Sequence, residues 1–332
     1  MPIIKGTRFS DQLAATSTAN EEFRGLGGDD TFLFHFDDRS DRFIGGGGND
    51  RLKITYPEDL DRPAPTGLLK DVKFVGGPGF DTIEMALDFD RIDVVLNLNR
   101  QGFRPATAEA LEVNVALYPY GGGSPDFTLQ GTARADIFHF SAQGGALAGT
   151  LRATTGNGND SVTTGHLSNI TAVIVNTGTG NDTVLLQARA ASTHVNTGAG
   201  RDVIHTNWLN AERIIAGAGD DIVHLDGQYY GLTPDIVTGG AGRDRFVTDI
   251  FQNATTAIIT DFRAGQDKIV VTEDDFRAEE LIFVETAADI GSDFFNLYFA
   301  KKEAELYYRG DLVIDLDGAA RVGARDFLFD PE

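Results

Sequence analysis

The sequence predicts an all-β fold: a right-handed parallel β-solenoid of about 20 residues per coil, with an antiparallel cap at its C-terminal end. Three observations carry this. A glycine-rich turn recurs as TGNGNDSV (155–162), TGTGNDTV (177–184), TGAGRDVI (197–204), AGAGDDIV (216–223) and GGAGRDRF (239–246). Its aspartates, Asp160, Asp182, Asp202, Asp221 and Asp244, lie 22, 20, 19 and 23 residues apart. Two apolar columns flank the turn, and helical periodicity is absent from these coils.

The turn explains itself residue by residue. With the aspartate as position 6, glycines fall at positions 2 and 4, where a Cβ would forbid φ > 0. Such a turn can aim several carbonyl oxygens to one side, and the aspartate adds a carboxylate. Calcium is a hard cation that takes six to eight oxygens, so carbonyls and carboxylates suit it. Gly and Asp also mark ordinary surface turns. Repetition in register separates the two readings and favours metal.

Position 8 starts the strand after the turn and points inward. It reads Leu13, Phe32, Leu52, Ile83, Phe138, Val162, Val184, Ile204, Val223, Phe246 and Ile269. Seven residues before each aspartate lies the inward position of the strand before it. That column reads Ile4, Phe23, Phe43, Phe74, Leu129, Ala153, Val175, Val195, Ile214 and Val237, with Thr260 before Asp267 as its exception. Short runs of Val, Ile and Phe favour strands on both sides.

The first coils begin at once, with GTRFSDQL (Asp11), GLGGDDTF (Asp30), GGGGNDRL (Asp50) and GGPGFDTI (Asp81). PEDLDRPAPTGLLK (57–70) holds three prolines, which a central strand excludes, and reads as a loop thrown out of the stack. Between Asp81 and Asp136 the turn motif lapses while apolar alternation continues, so 88–130 reads as degenerate coils. GTARADIF (131–138) resumes the pattern with Arg134 in place of the position-4 glycine, and Asp126 stands at a doubtful offset beside Pro125. Aromatic, alternating segments after 272 suit an end cap, which a solenoid needs over its exposed apolar end.

Composition limits the function. Of 332 residues, 50 are acidic and 28 basic, a formal charge of −22. That excludes a general nucleic-acid binder and argues against attraction to anionic membranes. There are 39 glycines and no cysteine, so bound metal rather than disulfide would staple an exported chain. The N-terminus shows no signal-peptide core and no run approaches a transmembrane span. Read alone, these features indicate the cytoplasm and no membrane insertion.

The nine-residue turn resembles the calcium-binding repeat of RTX (repeats-in-toxin) proteins, one of the periodic signatures known for solenoids. The segment AIITDFRAGQDKIVV (257–271) resembles the one that closes the RTX domain of serralysin-type proteases, through Asp261, Phe262, Gly265, Asp267, Lys268 and Ile269. The resemblance implies a β-roll with calcium shared between successive turns. The implied ligand residues are Asp30, Asp50, Asp81, Asp160, Asp182, Asp202, Asp221, Asp244 and Asp267. With them go Gly28, Gly48, Gly79, Gly158, Gly180, Gly200, Gly219, Gly242 and Gly265 at position 4. About five to eight calcium ions would fill such rows. It further implies type I secretion by an uncleaved C-terminal signal, for which RDFLFDPE is the candidate, reversing the cytoplasmic reading. The expected organisation is N-terminal coils 1–87, degenerate coils 88–130, the main calcium solenoid 131–271, and a cap with secretion signal 272–332. The expected role is an extracellular structural or adhesion protein of a matrix or surface layer. Calcium is its partner, with a polysaccharide, a cell surface or a second copy as further partners.

Catalytic motifs are missing: there is no H-E-x-x-H, G-x-S-x-G or Walker loop. No catalytic residue is assigned. His139, His205 and His224 share an outward register, with His205 and His224 about 4.8 Å apart on adjacent coils. As surface side chains they need no function. As a ladder they would, with Asp226, Tyr229 and Tyr230, suit a carbohydrate lyase or epimerase built on the solenoid. Trp208 reads as packed. A further alternative is ice binding, since TGTGND resembles the ice-binding coils of certain bacterial RTX adhesins. Its outward ladders fail here, position 3 reading Asn157, Thr179, Ala199, Ala218, Ala241 and position 5 Asn159, Asn181, Arg201, Asp220, Arg243.

Overall fold

Coordinates come from a computed structural model. It describes residues 1–15, 20–35, 41–55, 73–88, 94–97, 111–118, 126–142, 149–167, 170–206, 212–225, 235–248, 257–272, 281–285, 294–299, 302–303, 306–307, 311–315 and 324–329. The expected loop at 57–70 lies outside them, as do Trp208, Asp226, Tyr229 and Tyr230. The chain is a parallel β-solenoid of two compact units, Met1–Thr177 and Gly178–Glu332. Among the described residues no helix is long and apolar enough to cross a membrane.

In the first unit, the strands before the turns are Ile3–Lys5, Glu22–Arg24, Arg42–Ile44 and Lys73–Val75, paired in parallel. Those after the turns, Gln12–Ala14, Thr31–His35, Arg51–Thr55 and Asp81–Asp88, form a second parallel sheet. Where the turn motif lapses, the coil persists. Leu111–Tyr118 pairs in register with Asp81–Asp88 on one side and Asp136–Ala142 on the other. Leu111 thus occupies the place that Asp81 and Asp136 hold on the adjoining coils. The core is aromatic. Phe23 and Phe43 stack at 5.1 Å, and Phe32 and Phe34 pack on Phe43 at 5.6 and 5.8 Å.

In the second unit, Thr183–Leu186, Val203–His205, Ile222–Leu225, Arg245–Thr248 and Lys268–Val271 succeed one another after the turns. Ala190–Ala199, Glu212–Ala218, Asp235–Ala241 and Ala257–Ile259 lead into the turns before the last four of these. Here the core is mainly aliphatic, built from residues such as Val184, Ile204, Val223 and Ile214, with Phe246 and Phe262 packed together at 6.1 Å near its end.

Both apolar columns are inward as expected: from Phe23 to Val237, and from Phe32 to Ile269, their side chains are buried. The first coil differs: among the described residues its strands end their sheets, and Ile4 and Leu13 are half-exposed. Thr260 is not a polar residue in the core. Val237 pairs with Ile259, which is fully buried, so one extra residue precedes the last turn and shifts Thr260 out of the column.

Beyond the last turn, Leu281–Glu285 runs antiparallel to Phe294–Phe299, which runs antiparallel to Asp311–Asp315. The last of these lies parallel to Ala257–Ile259. The tail residues Phe327–Phe329 add one more parallel strand beside Lys268–Val271. Asp326, fully buried, accepts the Gly265 amide at 2.6 Å and docks the tail on the last turn.

Candidate metal centre

Every position-4 glycine singled out in the sequence has positive φ, from 85° at Gly265 to 149° at Gly200. Position 2 is positive as well, at Gly46, Gly77, Gly156, Gly178, Gly198, Gly217 and Gly240. At the Asp30 turn this place is held by Leu26, with φ of 87°. The glycines answer a second demand, close stacking. A Cβ on Gly200 would lie 1.7 Å from the Gly180 carbonyl oxygen, and one on Gly219 1.5 Å from that of Gly200. Carbonyls of successive turns therefore aim along the stack, at the next coil.

The position-6 aspartates form a ladder. At eight of them Oδ1 accepts the backbone amide of the aspartate one coil earlier. Asp30 accepts from Asp11 at 2.8 Å, Asp50 from Asp30 at 2.9 Å and Asp81 from Asp50 at 3.0 Å. Asp160 accepts from Asp136 at 2.8 Å. In the second unit, Asp202 accepts from Asp182, Asp221 from Asp202, Asp244 from Asp221 and Asp267 from Asp244, at 2.8 to 3.1 Å. Position 5 runs the other way: Asp29 accepts the Asn49 amide and Asn49 that of Phe80, both at 2.8 Å. Asn181 and Asp220 do the same for Arg201 and Arg243. Sequence reasoning missed this counter-ladder, although the recurrence of Asn and Asp at position 5 was its signal.

The second carboxylate oxygen divides the turns into two kinds. At Asp30, Asp50, Asp202 and Asp221, Oδ2 is buried and has no hydrogen-bond partner among the described residues. At Asp11, Asp136 and Asp267, Oδ2 accepts the amide of its own position 2, from Thr7, Thr132 and Arg263. Those three residues are not in the left-handed region, and their amides turn inward to close the loop. A positive φ at position 2 turns that amide away and leaves the oxygen open. Asp81, Asp160, Asp182 and Asp244 are equally buried, in turns with the same positive φ at position 2. Of the expected ligands, Asp267 thus differs in kind from the others.

Burial governs the charge state. It pushes Asp221 up to about 7 and Asp50 and Asp244 up to about 6, despite the amide each accepts. Asp30, Asp202 and Asp267 are raised for the same first reason. Within the closed turn, burial carries Asp136 to about 7. These carboxylates need either a proton or a cation.

The residues fit a hard cation. Beside Gly25, Oδ2 of Asp30 and the carbonyl oxygen of Gly45 converge, at 1.9 and 2.5 Å from where a Cβ would sit. Gly45 repeats this with Asp50 and Gly76, at 2.0 and 2.5 Å. Among the described residues, no three His, Cys, Asp or Glu side chains come together as a metal set. A cation at these turns would rest on carboxylates and backbone carbonyls, the oxygen donors that calcium takes.

On the outer face His205 and His224 pair in register and stack, ring centroids 4.0 Å apart and planes 7° from parallel. Burial first, then the neighbouring His205, lowers the His224 pKa, so His224 favours the neutral form. His139 lies in the first unit, beside Asn114 and Thr163.

Residues 40–330 match the family model described as Peptidase M10 serralysin C terminal, well over half of the chain. No curated protein matches the chain.

Proposed function

The chain belongs to the peptidase M10 serralysin C-terminal family, and from this premise we propose that it is a secreted, calcium-binding module that folds on calcium outside the cell. The observation that carries the reading is the open turn: a buried aspartate oxygen without a hydrogen-bond partner among the described residues, at Asp30, Asp50, Asp202 and Asp221. A buried anionic oxygen left bare is costly. A divalent cation held by that oxygen and by carbonyls of the adjoining coil removes the cost. Calcium then joins consecutive coils, and binding and folding become one event.

Extracellular calcium modules bind at about 10⁻⁴–10⁻³ M, too weakly to fill in a low-calcium cytosol. An unfolded chain inside suits export through a narrow type I channel, and the stacked coils it forms outside suit a structural or adhesive part in a matrix or surface layer. Polysaccharide, cell surface and self-association are its candidate partners. The antiparallel strands after 281 serve as the end cap.

Calcium titration of the full chain by calorimetry tests the reading. Asp50→Asn and Asp221→Asn, in open turns, are expected to lower the number of ions bound. Asp136→Asn, in a closed turn, is expected to leave it unchanged. Equal loss from all three, or no binding by the parent chain, would overturn the assignment.

A further inference from the structure

A second column of buried acids lies at the other end of the strands that lead into the turns. In the first unit it holds Glu21 and Asp41, 5% and 0% exposed. In the second it holds Thr193, Glu212 and Asp235, none more than 2% exposed. Thr193 is the register partner of Glu212, and Arg213 that of Ile236, which aligns Glu212 with Asp235. The strand Glu212–Ala218 separates this column from the glycine turn by about 20 Å. No glycine motif marks it in the sequence.

The two units build it alike. The Glu21 amide donates to Asp41 Oδ1 at 2.8 Å, and the Glu212 amide to Asp235 Oδ1 at 2.8 Å. This is the bond that defines the aspartate ladder at the turns. Each column also holds a buried oxygen with no partner among the described residues: Glu21 Oε2 in the first, Thr193 Oγ1 in the second. Arg24 and Arg42, on the two strands beside this column, pair with Glu22. The Thr193 hydroxyl, one coil from the Glu212 carboxylate, gives it no hydrogen bond.

We propose that this opposite edge carries a second set of divalent-cation sites, one in each unit: between Glu21 and Asp41, and in the Thr193–Glu212–Asp235 column. Carboxyl groups about 4.8 Å apart repel one another, and a cation between them would turn that repulsion into attraction. The donors are carboxylate and hydroxyl oxygens, a set for calcium or another hard divalent ion rather than for a soft one. The neutral Thr193 hydroxyl adds a ligand without adding repulsion.

The test is calcium alone, bound to the full chain, counted by equilibrium dialysis and metal analysis at saturation. Glu21→Gln with Asp41→Asn is expected to lose one ion per chain, and Glu212→Gln with Asp235→Asn another. Thr193→Val, of nearly the same shape, is expected to weaken one class of site about tenfold with an unchanged circular dichroism spectrum, and it serves where the double variants fail to fold. Unchanged ion counts in folded double variants, as for carboxyl groups that share protons, overturn the proposal. So does an unaltered affinity in Thr193→Val. This inference stands apart from the turn sites: loss of ions in Asp221→Asn with none lost here would overturn the second edge and leave the glycine turns intact.

Discussion

The amide of Asp202 donates to Oδ1 of Asp221, one coil further on, at 2.9 Å, while Oδ2 of Asp221 is buried with no hydrogen-bond partner among the described residues. One side chain thus ties two coils together and presents a bare anionic oxygen to the space between them. Stability and metal chemistry meet in that carboxylate.

Removal of calcium is expected to unfold the stack. Aspartates one coil apart, about 5 Å, repel by roughly 1 kcal/mol per neighbour even in water, and the glycine turns lose much backbone entropy on ordering. A chelator should lower the β-sheet circular dichroism, and added calcium should restore it. Asp202→Ala should move the midpoint to higher calcium. A chelated chain that keeps its full β signal and melting temperature would contradict this.

The pH response should change sign with calcium. Burial raises the folded-state pKa of Asp50 and Asp244 to about 6 and of Asp136 and Asp221 to about 7, above the ordinary 3.8. The folded chain then holds more protons than the unfolded one between those values. The contribution of these four groups to stability without calcium is fully present below pH 3.8 and is lost as pH rises through about 6 to 7. With calcium, deprotonation frees the ligand, so affinity should rise over the same window. Denaturant unfolding at pH 5 and pH 7.5, in chelator and in calcium, reads both arms.

Leu26→Gly should stabilise the first unit. Leu26 has φ of 87° and is 54% exposed, so the change relieves strain and removes little packing. The left-handed conformation costs a non-glycine residue about 1–2 kcal/mol, of which glycine's greater chain entropy takes back about half. A net gain of up to about 1 kcal/mol is expected in saturating calcium, seen as a higher melting temperature; a lower one would refute the assignment of strain.

Two glycine substitutions should part company. A Cβ at Gly219 meets the Gly200 carbonyl at 1.5 Å with φ of 144°, and neither backbone can withdraw without parting the coils. Gly219→Ala should cost at least about 3 kcal/mol. Gly47, with open space around it, should accept alanine within about 0.5 kcal/mol. Thermal melting of the two variants checks the contrast.

Much of this protein was legible in its sequence because the determinants are local and repeated. Glycine at positions 2 and 4 decides φ, an apolar residue at position 8 decides which way the strand faces, and a period near 20 lays one coil on the next. The aspartate at position 6 could be named as a candidate ligand from the same short segment. What tertiary structure alone decided depends on groups that neighbour each other only across coils. The bond from the Asp202 amide to Asp221 spans 19 residues of chain, and that from Gly265 to Asp326 spans 61. Whether Asp136 is closed by Thr132 or Asp50 left open rests on how an amide is turned, which the letter D does not record. The column of Glu21 and Asp41 carries no glycine signature at all. It exists because parallel register sets the same strand position of successive coils side by side, and register is a property of the stack, not of any segment within it.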